Sequence, residues 1–266
     1  MVLIVLLSAN QTFSQNYKIN ERTKIFAEEV RKDSVLLKVK NDFEIPITVK
    51  LDLFLVNLIG NSSSPIISIV PAKSSGYIIA RFKRINKNIP YKYTYNWKIV
   101  PGDISQIPDA NYIYKLPFQK SHSCKLSQGP GGLFSHKNIF AYDFVMPVGT
   151  PITASRDGII ALVKFDSQIG GPDNKYLDDA NFISVFHSDG TFANYFHLNK
   201  NGVIVKEGDL IKKGQIIGYS GNTGYSSGPH LHLEILQPTI ISDTKKWVQF
   251  KLEKIPEYSN STIFGR

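Results

Sequence analysis

From residue 91 to 99 the chain reads Tyr-Lys-Tyr-Thr-Tyr-Asn-Trp-Lys-Ile, with an aromatic or aliphatic side chain at every second position. Side chains alternate between faces along a strand, whereas a helix returns to one face every 3.6 residues. The run therefore fits a strand, with Tyr91, Tyr93, Tyr95 and Trp97 on one face as core. Shorter strand-like runs fall at 35–40, 47–55, 66–70 and 76–84, separated by turn-forming clusters such as Gly60-Asn61-Ser62-Ser63-Ser64-Pro65. Long 3.6-period stretches are scarce, while glycine (19) and proline (14) are frequent. The expectation is an all-β chain whose front part, 17–103, is a small immunoglobulin-like β-sandwich. Pro101-Gly102-Asp103 punctuates its end. Residues 104–120 read as a connector, 121–250 as a second domain and 251–266 as a C-terminal tail.

With 266 residues there is chain enough for two cores. Residues 1–9 are apolar and are followed by a short polar stretch ending near Ser14-Gln15. They read as the remains of an export signal over 1–15, too short to span a bilayer, and no transmembrane segment is expected. The expected location is therefore outside the cytoplasm, in the periplasm, envelope or medium. Cys124 is the single cysteine, which excludes an intrachain disulfide framework and a thiolate zinc site. Any metal must then be held by histidine and carboxylate. Residues 17–105 carry fifteen Lys and Arg against eight Asp and Glu, and residues 106–266 carry sixteen against fourteen. A basic front part suits contact with anionic wall polymers. No Lys/Arg-dense helix or aromatic RNA-binding motif is present, so nucleic acid is not an expected partner.

Chemistry concentrates in the back part, where five of the six histidines lie at or beyond 136. Three segments carry it: Ser135-His136 through Tyr142-Asp143, Tyr195-Phe196-His197-Leu198, and Gly228-Pro229-His230-Leu231-His232-Leu233-Glu234. On a strand His230 and His232 point to one face while Leu231 and Leu233 point to the apolar side. A hydrolytic zinc site commonly has three protein ligands and one open position. His136, Asp143 and one of the paired histidines can supply the three, leaving a net charge of about +1 that acidifies a water. No His-Glu-x-x-His helix motif occurs. Glu234 shares the strand face of His232 as a candidate outer partner, and proton chemistry falls to His197 and His230.

These segments resemble the lysostaphin-like zinc endopeptidases, the LytM-domain family. Asp143 is followed at the family's distance by Pro147, Gly149, Thr150 and Pro151, then by Ala154-Ser155-Arg156-Asp157-Gly158. His187-Ser188-Asp189-Gly190-Thr191, Val205-Lys206-Glu207-Gly208-Asp209, Lys213-Gly214-Gln215 and Gly221-Asn222-Thr223-Gly224 continue the pattern in order. The similarity spans about 121–240. It implies an antiparallel β-sheet peptidase domain with His136, Asp143 and His232 as zinc ligands. It further implies His197 and His230 as the catalytic pair that activates water and stabilises the oxyanion, with peptidoglycan stem peptides or cross-bridges as substrate. One feature departs from the common pattern: the family's usual His-x-x-x-Asp would place the ligand at Ile139, whereas six residues separate His136 from Asp143. His136 is the nearest histidine, with His122 fourteen residues further back. His187 reads as structural, and the polar insertion 166–180 is a candidate wall of the substrate groove. A catalytically inactive LytM-like domain that binds wall or activates an amidase is the competing reading. Such domains usually lack one or more of the five positions, which are all present here. A biotinyl or lipoyl carrier is excluded because no Met-Lys-Met or Asp-Lys-Ala turn occurs.

Overall fold

A computed structural model describes residues 19–30, 33–60, 63–119, 124–132, 135–241 and 246–253. The expected export signal and His122 lie outside the described residues. The chain divides into two units, Met1–Ser105 with Pro238–Lys245, and Gln106–Gln237 with Lys246–Arg266.

In the first unit one turn of helix, Ile19–Arg22, leads into seven strands. They are β1 (Thr23–Glu29), β2 (Ser34–Asn41), β3 (Ile47–Val56), β4 (Leu58–Gly60), β5 (Ile66–Val70), β6 (Ser74–Arg84) and β7 (Lys92–Pro101). All pairings are antiparallel, in one sheet of order β1-β2-β6-β4 and another of order β5-β3-β7. Period-two burial is plain in β2, where Val35, Leu37 and Val39 are fully enclosed, and in β3, where Ile47, Val49 and Leu51 are. Phe82 of β6 stacks on Tyr93 of β7, at 6.3 Å between centroids, joining the two sheets. Of the aromatic stripe, Tyr93 and Tyr95 enter the core, while Tyr91 and Trp97 are half-buried. Strands β1 and β4 have no counterpart among the runs read from sequence. Strand β1 pairs only with β2, buries only Thr23, and so needs no apolar alternation.

The second unit continues with β8 (Ile113–Tyr114), β9 (Lys125–Gln128), β10 (Ala141–Val145), β11 (Pro151–Thr153), β12 (Gly158–Lys164), β13 (Gly170–Gly171), β14 (Phe182–Phe186) and β15 (Phe192–Phe196). Then follow β16 (Leu198–Val203), β17 (Leu210–Ile211), β18 (Ile216–Ser220), β19 (Gly224–Tyr225), β20 (His230–Gln237), β21 (Lys246–Trp247) and β22 (Lys251–Leu252). The main sheet is antiparallel, with the order β17-β12-β14-β15-β20-β10-β9 and β21 beside β20. A smaller antiparallel sheet, β11-β18-β16, accompanies it.

One face of the main sheet is apolar. Leu231, Leu233 and Ile235 of β20, Ala193 and Tyr195 of β15, Ile183 and Val185 of β14 and Phe144 of β10 are all fully buried there. Burying a leucine or isoleucine stabilises by about 1.5–3 kcal/mol. A one-residue slip of β20 would turn three such residues outward and the histidines inward, so the core fixes which face His230 and His232 present.

Residues inside the expected connector join this core: Tyr114, Leu116 and Phe118 are buried in it. Strand β8 pairs with β22, so Lys251–Leu252, at the start of the expected tail, is also built into the unit. The sequence signal is the alternation Tyr112, Tyr114, Leu116, Phe118. No helix among the described residues is long and apolar enough to cross a membrane.

Candidate metal centre

Opposite the apolar face, the pairing of β10 with β20 sets Asp143 across from His232 and Val145 across from His230. The third member, His136, comes from the loop that joins β9 to β10 and is fully buried. His136 Nε2 lies 3.3 Å from His232 Nδ1 and 3.2 Å from Asp143 Oδ2, and His232 Nδ1 lies 2.8 Å from Asp143 Oδ1. Three candidate ligand atoms thus converge within 4.8 Å of one another. Donors about 2.0–2.1 Å from a tetrahedral zinc are separated by roughly 3.3 Å, so the trio has the dimensions of one face of such a shell.

The tautomers agree with that arrangement. His136 Nδ1 faces the Gly129 carbonyl at 3.0 Å, and because a carbonyl only accepts, the proton sits on Nδ1 and leaves Nε2 as a lone pair. Behind His232, Glu234 Oε2 lies 3.8 Å from Nε2. The Glu234 carboxylate is itself buried and held by Asn194 Nδ2 at 3.1 Å and Trp247 Nε1 at 2.8 Å. Burial raises the pKa of Asp143, but its close contacts with the His136 and His232 rings outweigh it and hold the carboxyl well below the usual range. Burial likewise opposes the His232 cation, yet Asp143 and Glu234 carry its pKa up to about 9. Both shifts have one cause: the converging groups favour positive charge between them.

The other two imidazoles stand beside the trio. His197 and His230 have ring centroids 4.4 Å apart, and His197 is 6.1 Å from His232. His197 Nδ1 donates to the Thr223 carbonyl at 2.7 Å, and His230 Nδ1 donates to the Gly228 carbonyl at 2.8 Å, with Ser226 Oγ at 3.2 Å. Each therefore keeps Nε2 free of its proton. His197 adopts φ of +64°, a left-handed conformation that costs a side-chain-bearing residue about 1–3 kcal/mol and is typical of functional sites. Burial, together with repulsion from His230 and His232, pushes the His197 pKa down to about 3. Burial also lowers that of His230.

All five residues singled out from the sequence are thus brought together. The residues that hold them were not singled out: Asn194, Thr223, Ser226 and Trp247 act through an amide, a carbonyl, a hydroxyl or an indole, which no spacing rule marks. His187 lies elsewhere, its Nδ1 on the Asp157 carbonyl at 2.8 Å and its ring edge-on to Tyr114. The insertion 166–180 contains β13, which pairs with β19 directly after Thr223, so it is docked beside the segment that holds His197.

Residues 137–246 match the model of peptidase family M23, a span that begins one residue after His136. A metalloprotease of Buchnera aphidicola subsp. Baizongia pistaciae is 36% identical over 57% of this chain and 41% of its own length. The peptidoglycan DD-endopeptidase ShyA of Vibrio cholerae is 37% identical over 35% of this chain and 19% of its own. The glycyl-glycine endopeptidase ALE-1 of Staphylococcus capitis is 38% identical over 47% of this chain and 32% of its own. The chain thus spans less than half the length of each of these relatives. The solved catalytic domain of lysostaphin from Staphylococcus simulans is 32% identical, covering 48% of this chain and 89% of that one with a TM-score of 0.34. Residues 137–246 thus match peptidase family M23, and the motifs of the LytM-type metallopeptidases follow one another along them in order.

Proposed function

We propose that this chain is a zinc-dependent endopeptidase that hydrolyses peptide bonds in peptidoglycan stem peptides or cross-bridges. The observation that carries the reading is the convergence of His136, Asp143 and His232 beside a second pair of imidazoles whose Nε2 atoms are unprotonated. In this reading His136 Nε2, His232 Nδ1 and one oxygen of Asp143 are the ligands, a nitrogen and carboxylate set that suits zinc. Bound there, zinc supplies a Lewis acid for the scissile carbonyl and lowers the pKa of a water towards neutrality.

The remaining steps belong to the chain's own residues. His197 and His230 are oriented by backbone carbonyls that fix their tautomers, so either can take a proton from the attacking water at Nε2. Burial disfavours a proton on either ring, and for His197 the neighbouring His230 adds to it. The imidazolium that forms then donates to the oxyanion and afterwards to the leaving amine. Glu234 orients His232 from behind. The relatives that are named peptidoglycan endopeptidases support the substrate class. That substrate and the apolar residues 1–9 support action outside the cytoplasm. The strand orders β1-β2-β6-β4 and β5-β3-β7 support reading the first unit as an immunoglobulin-like sandwich. The direct test is elemental analysis of the full chain alongside cleavage of a cross-linked muropeptide dimer. One zinc per chain with cleavage that chelation stops is expected. A metal-loaded chain inert on every wall peptide would favour a binding or amidase-activating domain.

A further inference from the structure

We propose that Gln128 is a positioning residue of the metal centre, its side-chain amide fixing the Asp143 carboxylate and the segment carrying His136 at the same time. The inference rests on the reading of His136 and Asp143 as ligands. Its starting point is the wide separation of the two: six residues intervene, so the local backbone alone does not hold them in register.

The structure shows what takes its place. Gln128 ends β9, directly across from Asp143 in β10. Its Nε2 donates to Asp143 Oδ2 at 3.0 Å and to Ser135 Oγ at 2.8 Å, while its Oε1 accepts from the Ser135 backbone N–H at 3.1 Å. Two donors and an acceptor on one planar group are what a primary amide offers. A glutamate in this place has no proton for Asp143, a lysine no acceptor for Ser135, and an asparagine is one methylene short. The next residue completes the arrangement, since the Gly129 carbonyl accepts from His136 Nδ1. Gln128 and Gly129 thus hold both candidate ligands from the outside, one by side chain and one by backbone.

The loop is shaped to this contact. Gly132 N–H donates to the Gly129 carbonyl at 3.2 Å, and a Cβ added to Gly132 would lie 2.2 Å from Gln128 Cγ. Only glycine lets the loop lie flat on the glutamine. Hydrogen bonds to a ligating carboxylate keep it oriented, and losing one typically weakens metal binding or activity about 10–100-fold.

The test uses the full chain with zinc alone, competed against a colorimetric chelator at fixed pH, and cobalt(II) absorption as a report on ligand geometry. Gln128→Met keeps the shape and removes the hydrogen bonds to Asp143 and Ser135. It is expected to bind zinc about 10–100-fold more weakly and to alter the cobalt spectrum, with a metal-free melting temperature close to that of the parent. Gly132→Ala, which displaces the glutamine without replacing it, is expected to weaken binding in the same direction. Parental zinc affinity and cobalt spectrum in Gln128→Met would overturn the inference while leaving the zinc reading intact. A lowered metal-free melting temperature with parental zinc affinity would make Gln128 structural and overturn it equally. Failure of the parent chain to bind zinc would remove the zinc reading itself.

Discussion

The two units bury polar groups very differently. Among the described residues the first encloses three polar side chains, Thr23, Asn41 and Thr48, and each is satisfied by nearby backbone. The second encloses fifteen, among them His136, Asp143, Arg156, His187, Asn194 and Glu234. An unsatisfied buried polar group costs about 1–3 kcal/mol, so a fold built only for stability has little reason to collect them. The first unit is held by alternating apolar strands. The second uses the same alternation on one face of its main sheet and places a charged, hydrogen-bonded constellation on the other. Damage should therefore appear as lost stability in the first unit and as lost chemistry in the second.

The largest expected effect lies in the trio. His232→Ala should lose zinc and, with it, at least about 1000-fold in turnover, because several kcal/mol of transition-state stabilisation depend on the metal. Near-stoichiometric zinc in that variant, measured by elemental analysis, would remove His232 from the ligand set. Next, His197→Ala should retain zinc and lose about 100- to 10,000-fold in kcat. Unchanged kinetics would make His197 a structural residue despite its strained backbone. In the first unit Leu51→Ala should cost about 2–5 kcal/mol by denaturant unfolding and leave zinc stoichiometry unchanged. Loss of metal from this variant would break the contrast between the units.

His187 sharpens the contrast from within the second unit, being buried but remote from the trio. Burial, only partly offset by the Asp157 carbonyl, lowers its pKa from 6.5 to about 4. The unfolded chain therefore binds the extra proton first as pH falls. Its contribution, of about 3 kcal/mol, is complete above pH 6.5 and is lost as pH drops towards 4. His187→Gln should flatten stability against pH in that window with no effect on zinc. An unchanged slope would show that His187 is not the titrating group.

Much of this was legible in the sequence, and the limits have physical causes. Strands with one buried face announce themselves by alternation, as β2, β3 and β7 do. Strand β1 lies at a sheet edge and buries one residue, so nothing in its composition marks it. The stretch 112–118 does alternate, but Pro108 and Pro117 and the short length of β8 make it look like a connector. The four imidazoles and one carboxylate that cluster in the second unit stood out in the sequence because few residue types suit metal or proton chemistry. Gln128, Thr223 and Ser226 did not, because backbone carbonyls, amides and hydroxyls are common everywhere and acquire a role only through three-dimensional placement.

The most direct measurement is digestion of purified peptidoglycan by the full chain, read by mass spectrometry of the released muropeptides, with zinc, with chelator, and with chelator followed by zinc. The account predicts conversion of cross-linked dimers to monomers that chelator stops and zinc restores, with fragment masses that name the bond. Zinc bound at one per chain with no cleavage in any wall type would contradict it.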